Sequence, residues 1–154
     1  MNDLSYTAKV FKTVWVSDVH LGTKGSRAKE FLEFLKTIEC EKIFLVGDIV
    51  DGWQLSKRWY WPQTHNDVVQ KILEKAKRGT EIIFIPGNHD EVARDFIGLT
   101  MGGIKVKDDD IHYTADGKKF WVVHGDLFDN VIQHARWLAS VSYTHLRAHE
   151  TLHY

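Results

Sequence analysis

The chain has a single cysteine, Cys40, among its 154 residues. That excludes an intramolecular disulfide framework and fits a reducing compartment. Excess charge is also lacking: 20 Lys and Arg against 21 Asp and Glu leave a formal net of −1. No field to gather nucleic acid follows from that balance, a local basic patch aside, so no nucleic-acid partner is expected. No window reaches the ~18 apolar residues of a membrane-spanning helix, and residues 1–12 lack the apolar centre of a secretion signal. There is no internal repeat and no low-complexity linker. These absences leave a cytoplasmic protein of one domain, long enough for a hydrophobic core, with peripheral contact at the inner membrane still open.

Four short segments stand out: Asp18-Val-His20, Gly47-Asp48-Ile-Val-Asp51, Gly87-Asn88-His89-Asp90 and His124-Gly125-Asp126. Each follows a run rich in Val, Ile and aromatics that reads as a buried strand, over residues 13–16, 42–46, 82–85 and 120–123. Strands ending this way bring their Asp, Asn and His side chains to one sheet edge, where open α/β folds bind ligands. The ligand types are carboxylate, carboxamide and imidazole, with no thiolate. That set suits a hard or borderline divalent ion such as Mn, Fe or Zn rather than a structural Cys-rich zinc site.

Between the motifs the pattern alternates β and α. Phe31, Leu32, Phe34, Leu35 and Ile38 recur at helical spacing. A second helix is expected to open at Thr64 as N-cap, with Asp67 at the third helical position. It would bury Val68, Val69, Ile72, Leu73 and Ala76 and stop at Gly79. Such β-helix-β units imply a parallel sheet with right-handed crossovers. Residues 104–107, 111–114 and 119–123 read as further strands, the last two joined at Asp116-Gly117. A helix is expected from about Asn130, with Val131, Ile132, Ala135, Leu138 and Ala139 on its apolar side.

Residues 141–151 break the pattern. They carry no motif that continues the fold and look like the in-frame translation of a transposase-type sequencing adapter. The expected organisation is therefore a native part over 1–140 and a non-native tail over 141–154, to be set aside in fold reasoning. The competing reading is a terminal helix with His145 and His149 one turn apart and able to share a metal. We do not count these two as ligands.

The four motifs, in this order at strand ends, resemble the calcineurin-like metallophosphoesterases across about residues 13–140. The family's final Gly-His-x-His segment has no counterpart here, as expected if the native part ends near Ser140. Within the family, Ser17–Gly22, Val46–Trp53 and His124–Asp129 look most similar to the UDP-2,3-diacylglucosamine diphosphatase branch of lipid A biosynthesis. The best-characterised enzymes of that pathway carry Arg after the motif Asn and continue His-Gly-Asp differently, whereas this chain has His89 and Leu127-Phe128-Asp129.

The resemblance implies an α/β fold, the α/β/β/α sandwich of the family, incomplete at the C-terminus. It also implies two divalent metal ions, with Mn preferred over Fe or Zn. Asp48 would bridge them, with Asp18 and His20 on one metal and Asn88 and His124 on the other. His89 would stabilise the transferring phosphoryl group or protonate the leaving oxygen. Asp51, Asp90 and Asp126 would orient imidazole or backbone groups.

Singly, each residue has a plainer reading: Asp18 and Asp48 as helix caps, the histidines as hydrogen-bonded core or surface groups, Asn88 as turn chemistry. All must hold together to remove the site. His65, His112 and His134 sit in no motif and read as structural or solvated, and the Asp108–Asp110 run as a solvated loop. Trp53, Trp59, Tyr60 and Trp61 read as packing, or as an apolar wall for acyl chains or a uracil ring.

The implied activity is hydrolysis of a phosphoester or pyrophosphate bond in a phosphorylated small molecule or lipid nucleotide, with UDP-2,3-diacylglucosamine foremost. The alternatives are a generic phosphodiesterase or nuclease of the family, and a non-enzymatic interaction protein such as the retromer subunit with this fold. Intact candidate ligands speak against the last. Oligomeric state is not legible.

Overall fold

The computed structural model describes residues 8–129, 132, 133, 135 and 136. The elements are β1 (Lys9–Val16), α1 (Ala28–Thr37), β2 (Ile38–Val46), α2 (Gly52–Lys57), α3 (Gln63–Lys77) and β3 (Glu81–Ile85). A 3₁₀ segment Glu91–Phe96 follows, then β4 (Thr100–Met101), β5 (Ile104–Val106), β6 (Asp110–Tyr113) and β7 (Lys119–Val122). One sheet has the order β1-β2-β3-β5-β4, parallel except for β4, and β6 and β7 form a separate antiparallel pair. This is the mixed α/β architecture with a parallel sheet that the strand and helix pattern implies.

The inner strands β2 and β3 are apolar along residues 43–46 and 82–85 because both faces are covered there, whereas β1 remains largely exposed. Alternation along β2 sends Ile43 and Leu45 to one side and Phe44 and Val46 to the other. The first side meets Leu32 and Leu35 of α1 and Val68 and Ile72 of α3. On the second side Phe44, Ile83 and Ile85 pack with Val122 of β7. Trp15 stacks on Phe44 at 5.9 Å, and His112 of β6 sits edge-on to both rings. Burying a side chain such as Leu35 or Phe44 is worth roughly 1.5–3 kcal/mol. Truncating one to Ala would cost about 2–5 kcal/mol, because the dense core collapses only partly.

Several boundaries differ from the sequence expectation. Ile38, counted on the helical stripe, is the first residue of β2 and is fully buried there. The helical pattern and the strand simply share an apolar residue at their junction. α3 opens two residues earlier than a Thr64 cap would place it, with Pro62 at the N-cap and no side-chain cap, so Asp67 is its fifth residue. Leu73 is partly exposed, while Val68 and Ile72 are buried. α3 does end before Gly79: Gly79 N–H donates to Ala76 O at 3.1 Å and Thr80 N–H to Lys75 O at 3.0 Å, the double-bonded stop of a Schellman motif. Lys75, itself buried, donates to Ile38 O at 2.6 Å and so ties α3 to the start of β2.

The short α2 and the two-residue β4 had no sequence signal. Asp110, read as loop, opens β6, and Asp108 pairs with Arg94. The chain divides into two compact units at His124/Gly125, and every element above belongs to the first. In the second, residues 126–129 are already helical, so that helix begins before Asn130. His134, His145 and His149 lie outside the described residues.

Glu81 on β3 meets Lys105 Nζ of β5 and Lys42 Nζ of β2, each at 2.8 Å. These partners, Lys105 first, pull its carboxyl from 4.5 down to about 2. A depressed carboxyl contributes stability above its unfolded pKa and loses it as pH falls toward the folded value. The side chain is 35% exposed, and solvent screening reduces the contribution to about 1 kcal/mol or less. In urea melts, Glu81→Gln should be less stable than the parent at pH 7, with the gap closing between pH 4.5 and 2. A gap that stays constant over that window would refute the linkage.

Candidate metal centre

β1, β2 and β3 run parallel, so the loops after them emerge at one edge, and hydrogen bonding between neighbours continues past the strands. Asp18 N–H donates to Gly47 O at 3.1 Å, His20 N–H to Asp48 O at 2.9 Å and Gly47 N–H to Ile85 O at 2.7 Å. Asp18 and His20 thus stand on the β1 loop, Asp48 and Asp51 on the β2 loop, and Asn88, His89 and Asp90 on the β3 loop. His124 follows β7 from the covering pair.

Among the described residues, the non-glycine residues with positive φ are Asp18 (55°), His20 (51°) and Asp48 (54°). All three are candidate ligands. A left-handed side-chain residue costs of order 1–3 kcal/mol and persists only where its surroundings hold it, as at ligand clamps. Those surroundings include Asp90, a buried carboxylate. It accepts from Ile49 N–H at 2.8 Å, Asp48 N–H at 3.2 Å and Gly87 N–H at 2.5 Å. Glycine is needed where backbone passes the candidate ligands. A Cβ on Gly47, at φ +68°, would lie 2.1 Å from His124 Cδ2, and one on Gly87 would lie 2.6 Å from Asp48 Oδ1.

The donor atoms form two groups, Asp18/Asp48/His124 and His20/Asp51/His89, each with atoms within 4.8 Å of one another. Asp48 Oδ2 is 3.6 Å from His124 Nε2, and Asp18 Oδ1 is 3.8 Å from His20 Nε2, which links the two groups. Asp48 Oδ1 also accepts from His89 N–H at 3.0 Å. Asn88 sits between Gly87 and His89, both against the Asp48 carboxylate.

Asp51 is the hub of the second group. Its Oδ2 is 3.1 Å from His20 Nδ1 and 3.0 Å from His89 Nδ1, while Oδ1 accepts from Gln54 N–H at 2.9 Å and so caps α2. Burial works to raise this carboxyl, but the Gln54 N–H and the His89 and His20 imidazoles outweigh it and hold it below the usual carboxylate range. An ionised Asp51 takes Nδ1–H from both rings, which leaves each Nε2 to face the site. The rings of His20 and His89 meet edge-on at 4.8 Å, and Trp53 of α2 tilts over His89 at 4.3 Å.

Asp126 belongs to the second unit, at the start of its helical residues. The convergence of His20 and His89 on one carboxylate oxygen had no signal in the spacing. Neither did the packing of Trp53 on His89. Gly47 and Gly87 stand inside the motifs, but only the approach of a side chain in three dimensions explains them.

A family profile described as calcineurin-like phosphoesterase matches residues 11–153. This chain belongs to that family. A UDP-2,3-diacylglucosamine hydrolase of Azotobacter vinelandii is 27% identical over 118 residues, covering 74% of this chain and 47% of the relative. The chain thus spans about half the length of that relative. A solved structure, the nuclease MPE of Pseudomonas putida, is 22% identical with a TM-score of 0.39, over 63% of this chain and 48% of the other. The family implies a hydrolase of phosphoester bonds. Strained carboxylate and imidazole donors packed closely against Gly47 and Gly87 fit a divalent metal site. No helix among the described residues is long and apolar enough to cross a membrane.

If close approach is why Gly87 is glycine, Gly87→Ala should melt several degrees lower and bind divalent metal more weakly. Gly25→Ala, where a Cβ meets nothing within 4 Å, should leave both unchanged. Equal behaviour of the two variants in thermal melts and metal titration would remove the close-approach argument.

Proposed function

We propose that this chain is part of the catalytic core of a Mn²⁺-dependent hydrolase that cleaves the pyrophosphate of UDP-2,3-diacylglucosamine in lipid A biosynthesis, in the cytoplasm. The observation that carries the chemistry is the convergence of Asp18, His20, Asp48 and His124 at one sheet edge, three of them in left-handed backbone. The substrate rests on the motif resemblance and on the name of the Azotobacter relative.

In this reading Asp18, His20 and Asp48 would hold one ion, and Asp48, Asn88 and His124 the other. When bound, such ions supply positive charge to the phosphoryl oxygens and make water a usable nucleophile near neutral pH. The rest is done by the chain. Asp51 fixes the tautomer and direction of His20 as a ligand. Through its other contact it orients His89, whose Nε2 then faces the phosphoryl oxygens or the leaving oxygen. Asp90 holds the backbone of both loops.

Full-length protein from the parent gene should release UMP from UDP-2,3-diacylglucosamine, lose this activity in chelator and regain it with Mn²⁺. Hydrolysis unchanged after exhaustive chelation would overturn the metal mechanism, and turnover of nucleic acid in place of the lipid nucleotide would overturn the substrate.

Two variants separate the roles. Asp48→Ala should lose at least one of two metals. His89→Ala should keep both and turn over about 10²–10⁴-fold more slowly. Elemental analysis checks this, and two metals retained in Asp48→Ala or none in His89→Ala would sink the assignment.

We place residues 141–154 outside the native protein. Among the described residues no strand pairs with the outer edge of β1, and Val10, Phe11, Trp15, Ile111, Tyr113 and Trp121 are exposed, features that invite association when left uncovered. Residues 1–154 as written should therefore be poorly soluble and inactive. Replacing 141–154 with a native continuation containing Gly-His-x-His should restore metal binding and hydrolysis. A soluble, active 154-residue chain that loses activity on mutation of His145 or His149 would refute this.

A further inference from the structure

His65 belongs to no motif, yet it is buried, at 4% exposure, as the third residue of α3. Its Nδ1 accepts from Gly22 N–H at 2.9 Å, a buried hydrogen bond spanning 43 residues. Gly22 lies two residues after the candidate ligand His20, on a loop whose buried Val19 and Leu21 already pack in the core with α1 and α3. Leu21 N–H donates to Ile49 O at 2.9 Å, Asp51 N–H to Leu21 O at 2.8 Å, and Leu21 bridges Val50. Thr23 N–H and Oγ1 return to His20 O at 3.2 and 2.9 Å. These bonds tie the loop to the β2 loop and to itself. The His65 bond ties it to the helical layer, at the point where the chain turns away from the ligands.

The geometry is tight on both sides of that turn. Gly22 has φ +101°, and a Cβ there would lie 2.7 Å from Leu55 Cγ of α2. The imidazole is held by Tyr60 and Trp61, whose rings meet it edge-on at 5.8 and 5.7 Å. An acceptor can serve a buried N–H only if it stays unprotonated, and burial lowers the pKa of this imidazole. The aromatic stretch before α3 therefore has a use besides packing or contact with a substrate: Tyr60 and Trp61 confine the ring that holds the loop.

We propose that His65 is a positioning residue for the metal centre, its Nδ1 fixing Gly22 and through it the left-handed turn that presents Asp18 and His20. The ligand role of that loop rests on the function proposed above, but the anchor does not. Its effect reaches the ion through backbone. Loss of such an outer contact weakens metal binding by about 10–100-fold.

The test compares His65→Asn, His65→Gln and His65→Leu in the full-length protein. Asn can place its Oδ1 close to the position of Nδ1, Gln sets its oxygen one methylene too far, and Leu has no acceptor. We read Mn²⁺ affinity by calorimetry, exchange of the Gly22 amide by NMR, and the ¹⁵N shifts of the wild-type ring. The wild-type His65 should show the Nε2–H tautomer with Nδ1 bare. Leu and Gln should bind Mn²⁺ about 10-fold more weakly and exchange the Gly22 amide at least about 10-fold faster, with α3 amides unchanged, while Asn restores both.

Unchanged Gly22 exchange and Mn²⁺ affinity in Leu and Gln, or a ring protonated at Nδ1, would overturn the proposal. If Leu fails to fold, the Asn and Gln pair still decides. If the wild-type protein binds no Mn²⁺, the function proposed above falls. The Gly22 exchange and the ring tautomer then decide whether the anchor exists.

Discussion

The buried Asp90 carboxylate is the constraint on which the candidate site depends. It accepts backbone N–H groups from Asp48 and Ile49 on one loop and from Gly87 on another. A carboxylate out of water needs such donors, and donors in a turn need such an acceptor. Each loop therefore closes around the same group. Asp48 is forced into left-handed backbone between them, and its own carboxylate then accepts from His89 N–H. The β2 loop can hold its shape only with the β3 loop present, so the site assembles as one unit.

Asp51 does for side chains what Asp90 does for backbone. It sits at the N-terminus of α2, accepts the cap hydrogen bond from Gln54, and offers its other oxygen to two imidazoles. One residue thus begins a helix, orients His20 and orients His89. The helix places Trp53 over His89 from the far side, so the ring is held by a carboxylate at one edge and an aromatic face at another. Confinement of this kind suits a group that has to present one nitrogen in one direction.

Sheet and site are coupled through burial. The helical layer covers one face of the parallel sheet, and the β6–β7 pair covers the other, through Val122 and the edge-on His112. The same β7 strand that completes the second apolar face delivers His124 to the Asp48 carboxylate. Its approach is so close that Gly47 and Gly87 have no room for a Cβ. The strand that completes the second apolar face thus also leads directly into one of the donors.

Much of this was legible in the sequence. Apolar runs ending in Asp, Asn or His announced parallel strands and the edge where their ends meet, because strands buried on both faces must be apolar throughout. The Asp116-Gly117 turn announced the β6–β7 pair. Helix boundaries were less legible: Ile38 is apolar for both a helix and a strand, and α3 begins behind Pro62 without the side-chain cap that marks a start. The role of His65 was not legible either, since its partner is a backbone N–H that any residue carries. By itself the sequence determined the order of strands and helices and the chemical types of the donors, because periodicity and residue identity are local properties. Only the tertiary structure decided which donors share an oxygen, which glycines had to be bare, and that a histidine outside every motif anchors the ligand loop. Those depend on distances between residues 31 or more apart in the chain, and no local pattern encodes such distances.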